Sequence, residues 1–291
     1  MTLLRRRPVL GLPGQGEHRL EDYEQHREWA TAADGTLIPI SLVCRKGVAP
    51  RDGSSPILLY GYGSYEISVD PYFSIPRLSL LDRGFSFAIA HIRGGGEMGR
   101  HWYDDGKLLH KVNSFTDFID CARHLVASGW SSPDRLIARG GSAGGLLMGA
   151  VANMAPEAFG AIVAQEPFVD ALTSILDPSL PLTVTEWEEW GDPLHDPDVY
   201  AYMKSYSPYE NIEAHRPYPP ILAMTSLNDT RVQYSESAKW IAKLQEHADG
   251  GPFLLKTEMA AGHGGRSGRY DAWHEEALVL AWILARVGSA S

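Results

Sequence analysis

The sequence predicts an α/β fold, with a mostly parallel central sheet and helices on both faces. Three observations lead there. Short apolar runs alternate with longer segments that are apolar at helical spacing, the order that a helix-covered parallel sheet requires. Several of the short runs lack the polar alternation of a half-exposed strand, as strands buried on both faces do. One of them leads straight into Gly140-Gly141-Ser142-Ala143-Gly144, which opens the next helical segment.

Taken in order, residues 29–43 read as an antiparallel hairpin with Asp34-Gly35 as its turn. Residues 57–60, 86–91, 136–138, 161–164, 221–226 and 253–258 read as strands. Residues 114–127, 146–154, 235–247 and 272–287 read as helices. Residues 167–210, rich in Pro, Asp, Trp and Tyr, read as a long irregular insertion, and a segment of that length beside a sheet is more often functional than idle.

A chain of 291 residues, 44% hydrophobic, is long enough to bury one large core. Residues 29–291 are therefore expected to form a single domain, preceded by an N-terminal extension at 1–28. Two cysteines, Cys44 and Cys121, cannot make a disulfide framework, which suggests a reducing compartment. Arg5, Arg6 and Arg7 are followed by prolines and glycines rather than by a signal-peptide core. No run approaches the ~20 apolar residues of a membrane span, so a cytoplasmic protein without a membrane partner is expected. A net charge of −10 disfavours nucleic acid as a partner and favours the approach of cationic substrates.

The Gly-x-Ser-x-Gly pentapeptide sits between a strand and a helix, where a sharp turn lifts a serine hydroxyl clear of the backbone. In that context it is the nucleophile elbow of an α/β-hydrolase fold; out of it, the same string is a glycine-rich turn. A serine nucleophile needs a base, and the base needs an orienting acid, in the chain order Ser, Asp or Glu, His. Asp229 follows the strand at 221–226, and His263, flanked by glycines, follows the strand at 253–258. Asp170 is the fallback acid. The oxyanion requires two donors. One is the Ala143 N–H, and the other is expected from the loop Tyr60-Gly61-Tyr62-Gly63-Ser64-Tyr65, with the Tyr62 hydroxyl as candidate and simple packing as the alternative.

Two other chemistries find little support. Gly94-Gly95-Gly96-Glu97-Met98-Gly99 matches Gly-x-Gly-x-x-Gly, but no helix opens within it as pyrophosphate binding requires, so it reads as a structural loop. No His-Glu-x-x-His or comparable ligand spacing occurs, so neither a metal nor a cofactor is expected.

Together the tyrosine loop, Arg93-Gly94-Gly95-Gly96-Glu97, the serine pentapeptide, Glu186-Trp187-Glu188-Glu189-Trp190-Gly191 and Ser205-Tyr206-Ser207-Pro208-Tyr209 resemble the catalytic domain of the prolyl oligopeptidase family, within it most of all the oligopeptidase B group, from about Trp29 to the C-terminus. The resemblance implies Ser142, Asp229 and His263 as the triad, and Tyr62 with the Ala143 N–H as the oxyanion hole. It implies short peptides with Arg or Lys at P1 as substrates. Glu186 and Glu188 match the acidic pair that receives that side chain, provided the stretch is not regular helix, since i and i+2 leave a helix on different sides. Their alternative reading is a solvated acidic face.

Two positions bear on P2. Asp70 matches one of two acidic residues expected there, but Tyr72 stands where the second would be, and Arg231 resembles the arginine that prolyl oligopeptidases use on a substrate carbonyl. The family's long N-terminal β-propeller has no counterpart in the sequence, so residues 1–28 read as a remnant of its linker. An uncapped face favours self-association or a propeller partner. The reading is a serine oligopeptidase. Its alternatives are a small-ester or acyl-peptide hydrolase of the same fold, or a catalytically weak fragment that needs a separate propeller.

Overall fold

The computed structural model describes residue 9 and residues 18–288. The strands are β1 (Tyr23–Thr31), β2 (Leu37–Arg45), β3 (Ile57–Tyr60), β4 (Ser86–Ala90), β5 (Leu136–Gly141), β6 (Ala161–Gln165), β7 (Pro217–Tyr218), β8 (Ile221–Ser226), β9 (Asp249–Gly250) and β10 (Phe253–Glu258). The α-helices are α1 (Ile75–Leu81), α2 (Arg100–Asp104), α3 (Val112–Ala127), α4 (Ala143–Met154), α5 (Ala171–Ile175), α6 (Thr183–Trp190), α7 (Pro197–Tyr206), α8 (Tyr234–His247) and α9 (Arg269–Val287). Eight strands form one sheet in the order β1-β2-β4-β3-β5-β6-β8-β10, and β7 pairs with β9 apart from it. From β4 to β10 every pairing is parallel; β2 runs antiparallel to both its neighbours.

Because side chains alternate across a strand, the apolar strands feed two cores. Ile57, Leu59, Leu136 and Ala138 pack with Phe115 and Phe118 of α3, Leu146 and Leu147 of α4 and Trp240 of α8. Leu58 and Ile137 face the other way, onto Leu78 of α1 and Val279 and Ile283 of α9. Helices thus cover both faces, as the α/β-hydrolase reading expects. No described helix is long and apolar enough to cross a membrane. Cys44 and Cys121 are free and buried.

The hairpin is longer than its sequence pattern indicated. Glu24 to Thr31 pair in register with Cys44 to Leu37, and the strand's start is held where the Tyr23 hydroxyl donates to Asp82, which Arg45 also engages. Residues 23–28 therefore lie in the sheet rather than in an N-terminal extension. Residues 1–8 and 10–17 of that expected extension lie outside the described residues.

The 167–210 segment is also more regular than expected, since it holds α5, α6 and α7. Asp196 caps α7 by accepting from the N–H groups of Asp198 and Val199, and Pro197 occupies the first turn, a start signal with a plain physical basis. The Gly94–Gly99 loop precedes only the five-residue α2. It is anchored by Arg93, buried and bonded to both carboxylate oxygens of Asp117.

Between β5 and α4 the chain reverses at Ser142, whose φ of 56° lies in the left-handed region. The turn closes only because two neighbours lack side chains. A Cβ on Gly140 would strike the Gly144 carbonyl, and one on Gly145 would strike Pro167. Gly145→Ala is expected to lower stability by about 1–3 kcal/mol through overpacking, read as a lowered midpoint of denaturant unfolding.

Glu236 on α8 is buried and accepts from the Asp170 N–H and the Ser174 hydroxyl. Burial pushes its pKa up to about 7. Between the ordinary carboxylate range and that value the folded chain keeps a proton that the unfolded chain has released, so this group's contribution to stability falls as pH rises. Glu236→Gln removes that decline. Denaturant titrations from pH 4 to 8 should show the variant gaining on the parent by roughly 3 kcal/mol up to about pH 7 and no further above it.

Candidate active site

Parallel strands deliver their C-terminal ends to one edge of the sheet, where an open α/β sheet binds its ligands. Ser142 follows β5, Asp229 follows β8 and His263 follows β10. The Asp229 side chain is buried, and one of its oxygens accepts the backbone N–H groups of Arg231 and Val232 at 2.8 and 3.0 Å. Its other oxygen lies 2.8 Å from Nδ1 of His263. That contact holds the ring with Nδ1 on the carboxylate and leaves Nε2 available for proton transfer. No hydrogen bond joins Ser142 to His263 among the described residues. The Ser142 backbone is pinned instead: its N–H donates to the Gln165 carbonyl at 2.8 Å, and its carbonyl accepts from Gly145 and Phe168.

The tyrosine loop after β3 faces the same turn. Burial pushes the Tyr62 pKa up to about 12, so the hydroxyl is a proton donor throughout the neutral range. The Ala143 N–H lies in the first turn of α4, where backbone N–H groups have no helical acceptor. Beneath the loop, the fully buried Lys111 donates to the Gly63 carbonyl at 2.6 Å and to Ser64 Oγ at 2.7 Å, with Glu189 at 3.6 Å as counter-ion. Burial lowers the Lys111 pKa to about 8, against the pull of Glu189.

The acidic pair is rearranged. Because α6 is a regular helix, Glu186 and Glu188 do not share a side. Glu186 turns inward, where its carboxylate accepts from the Tyr65 hydroxyl at 2.9 Å and Trp190 Nε1 at 2.8 Å. Glu188 is exposed. The second carboxylate directed inward is Glu189, buried and bonded to the Tyr65 N–H and the Tyr103 hydroxyl. Its i+3 spacing from Glu186 places it on the same helix face, a relation that the sequence carried once the segment was known to be helical. Glu186 therefore lines a cleft with Phe168, Ile175, Leu182, Arg231 and Glu236, and Phe168 packs on Trp190 with ring centroids 5.5 Å apart.

Arg231 and Asp70 are both exposed, Arg231 at the rim of that cleft. Asp170 stands apart from the imidazole: it precedes the first residue of α5 without a side-chain capping bond, and its carboxylate pairs with Lys239. One residue that the sequence did not single out joins the site. Glu166, immediately after β6, places a carboxylate oxygen 3.7 Å from His263 Nδ1, and its only sequence signal is its position at a strand's C-terminal end. Glu166, Asp229 and His263 lie close enough to share a cation, as do Glu24, His26 and Cys44 near the sheet edge. In the first set, however, the imidazole nitrogen is already engaged by Asp229.

Comparisons with known proteins place the fold in a family. The model of the prolyl oligopeptidase family matches residues 71–290. A dipeptidyl aminopeptidase BI from Pseudoxanthomonas mexicana is 51% identical over 290 residues, 99% of this chain and 39% of its own length. Protease 2 from Moraxella lacunata is 50% identical over 95% of this chain and 40% of its own. Oligopeptidase B from Leishmania major superposes with a TM-score of 0.90 at 47% identity, covering 93% of this chain and 37% of that one. The likeness reaches residues before Trp29, and the chain spans about two fifths of the length of the curated relatives it matches. With an α/β-hydrolase sheet, a serine reversal after β5 and an aspartate-bonded histidine after β10, the chain belongs to the prolyl oligopeptidase family.

Proposed function

We propose that this chain forms the catalytic domain of a serine oligopeptidase that hydrolyses short peptides on the carboxyl side of Arg or Lys. The observation that carries the specificity is Glu186. Its carboxylate sits between the Tyr65 hydroxyl and the Trp190 indole, beside Phe168, whose N–H binds the Ser142 carbonyl. A cationic side chain entering there meets a carboxylate partner and aromatic faces, the pairing that favours guanidinium. The L. major and Trypanosoma brucei structures named as oligopeptidase B support the same reading.

In this mechanism Ser142 Oγ attacks the scissile carbonyl carbon while His263 Nε2 accepts its proton, and Asp229 stabilises the imidazolium through Nδ1–H. The Ala143 N–H and the Tyr62 hydroxyl donate to the oxyanion. Collapse of the tetrahedral species passes the proton from His263 to the departing amine and leaves an acyl-serine. Water, activated by the same imidazole, releases the acid. Arg231 at the cleft rim is suited to a substrate carbonyl. Asp70, exposed and without a second acid at Tyr72, gives weaker selection at P2.

A second reading comes from the relative named dipeptidyl aminopeptidase BI: release of dipeptides, which requires recognition of a free amino terminus. The large exposed side chains Tyr72 and Phe73, 66% and 60% accessible, extend the proposal to a covering partner, a second copy or a propeller, on that side of the domain.

Release of a fluorophore from an Arg-P1 peptide amide tests the proposal. Ser142→Ala is expected to lose at least about 10³-fold in kcat, and Tyr62→Phe roughly 10²-fold with little change in KM. Preferential hydrolysis of an uncharged short-chain ester would favour the esterase alternative instead. Activity only on substrates with an unblocked amino terminus would select the aminopeptidase reading.

The two acidic residues of α6 should separate cleanly. Glu186→Gln is expected to weaken kcat/KM for Arg-P1 substrates by about 10- to 100-fold, the worth of a charge-assisted contact, while Glu188→Gln changes it less than about twofold. Equal effects of the two substitutions would remove Glu186 from its proposed role.

A further inference from the structure

Glu166 stands in a backbone conformation that side-chain-bearing residues seldom adopt, with φ at 45°. Strain of that kind persists where the surroundings hold it and is concentrated at functional sites. Here the hold is on both sides. The Glu166 N–H donates to the Met224 carbonyl at 2.6 Å. Its carboxylate accepts the Gly264 N–H on both oxygens, each at 2.7 Å, and the Gly265 N–H at 3.0 Å. Ser226 Oγ lies 3.4 Å from the same carboxylate.

Those two amides belong to the loop that carries His263. Gly264 and Gly265 have φ of 100° and 77°, and a Cβ on Gly264 would meet nothing within 4 Å, so packing does little to fix the residue next to the imidazole. Other ties flank that point: the Asn228 N–H donates to the Ala261 carbonyl at 3.1 Å, the Gly265 N–H to the Gly262 carbonyl at 3.2 Å and the Arg266 N–H to Glu275 at 3.2 Å, and the Arg266 guanidinium pairs with Glu258 at 2.8 Å. Asp229 grips the ring itself. Glu166 is the group that reaches across from β6 to the backbone directly after it.

We propose that Glu166 is a positioning residue for His263: its carboxylate, clamped on the Gly264 and Gly265 N–H groups, holds the loop so that the imidazole stays on Asp229 with Nε2 directed to Ser142. This rests on the reading of His263 as the general base. A misplacement of about 1 Å in such a group costs on the order of 10²-fold in rate, so the anchor acts on kcat rather than on substrate binding. The clamp needs acceptor oxygen rather than charge. Glutamine keeps one such oxygen where the Gly264 and Gly265 N–H groups converge, and alanine keeps none.

The test compares Glu166→Ala, Glu166→Gln and His263→Ala on the Arg-P1 amide, with amide hydrogen exchange over residues 260–268. Glu166→Ala is expected to lower kcat by about 10- to 100-fold at unchanged KM, and Glu166→Gln to restore kcat to within about threefold of the parent. In the parent chain the Gly264 and Gly265 amides should exchange at least about tenfold more slowly than those of a free loop. Unprotected amides in the parent would overturn the proposal even where Glu166→Ala fails to fold. So would an equal loss in the Gln and Ala variants, or no loss in either. Full activity in His263→Ala would instead overturn the general-base reading on which the proposal stands.

Discussion

The reversal of the chain at Ser142 is the constraint on which the rest of the site depends. A residue with a side chain at φ 56° is held there by its surroundings, and here they are backbone groups of four separate segments. β5 enters the turn and α4 leaves it. The Gln165 carbonyl takes the Ser142 N–H, and the Phe168 N–H takes its carbonyl. Gly61 and Gly144 meet closely enough that a Cβ on Gly144 would lie 2.8 Å from the Gly61 carbonyl. The serine is thus presented by a close-packed junction rather than by a loop, and any shift in β3, β5 or β6 is transmitted to it.

Buried charge does the same for the tyrosine loop. Arg93 and Asp117 are 5% and 0% exposed, and Lys111 and Glu189 are 1% and 3% exposed. Such pairs carry a large desolvation cost and contribute little net stability, but removal of one partner is strongly destabilising. What they supply here is position. Lys111 spends its donors on the carbonyls of Gly63 and Gly106 and on Ser64 Oγ, backbone that helix and sheet leave unpaired. Glu189 in turn holds the Tyr65 N–H and the Tyr103 hydroxyl, so a single ionic cluster joins α3, α6 and the loop bearing Tyr62.

The division of labour among carboxylates follows from what surrounds each. Asp229 has one oxygen saturated by backbone N–H groups and offers the other to His263. Glu189 is neutralised by Lys111 and held by protein donors, so it is structural. Glu186 accepts from the Tyr65 hydroxyl and the Trp190 indole and faces an open cleft, the placement on which the proposed basic specificity rests. Glu166 lies near the imidazole but is taken up by two glycine amides. Four acids within one region therefore have four different sets of partners, and burial alone would not have told them apart.

Much of the molecule was legible in the sequence because it rests on local rules. Apolar runs named six of the sheet's strands, helical spacing named the four main helices, and the glycines around Ser142 and His263 marked the turns that only small residues close. The proposed order Ser142, Asp229, His263 could be read because each residue follows a strand of the sheet, β5, β8 and β10. Other features were out of reach for a common reason: they depend on residues distant in sequence. The helix through Glu186 turned Glu188 to solvent and Glu189 inward, a three-dimensional consequence of 3.6-residue periodicity in a segment whose composition resembles a loop. The Glu166 clamp joins residues 98 and 99 positions apart, and nothing at either end announces the other. Chain-local chemistry determined which residues could act, and the tertiary structure decided which of them meet, because hydrogen bonds and ion pairs form only where packing brings their atoms within about 3 Å.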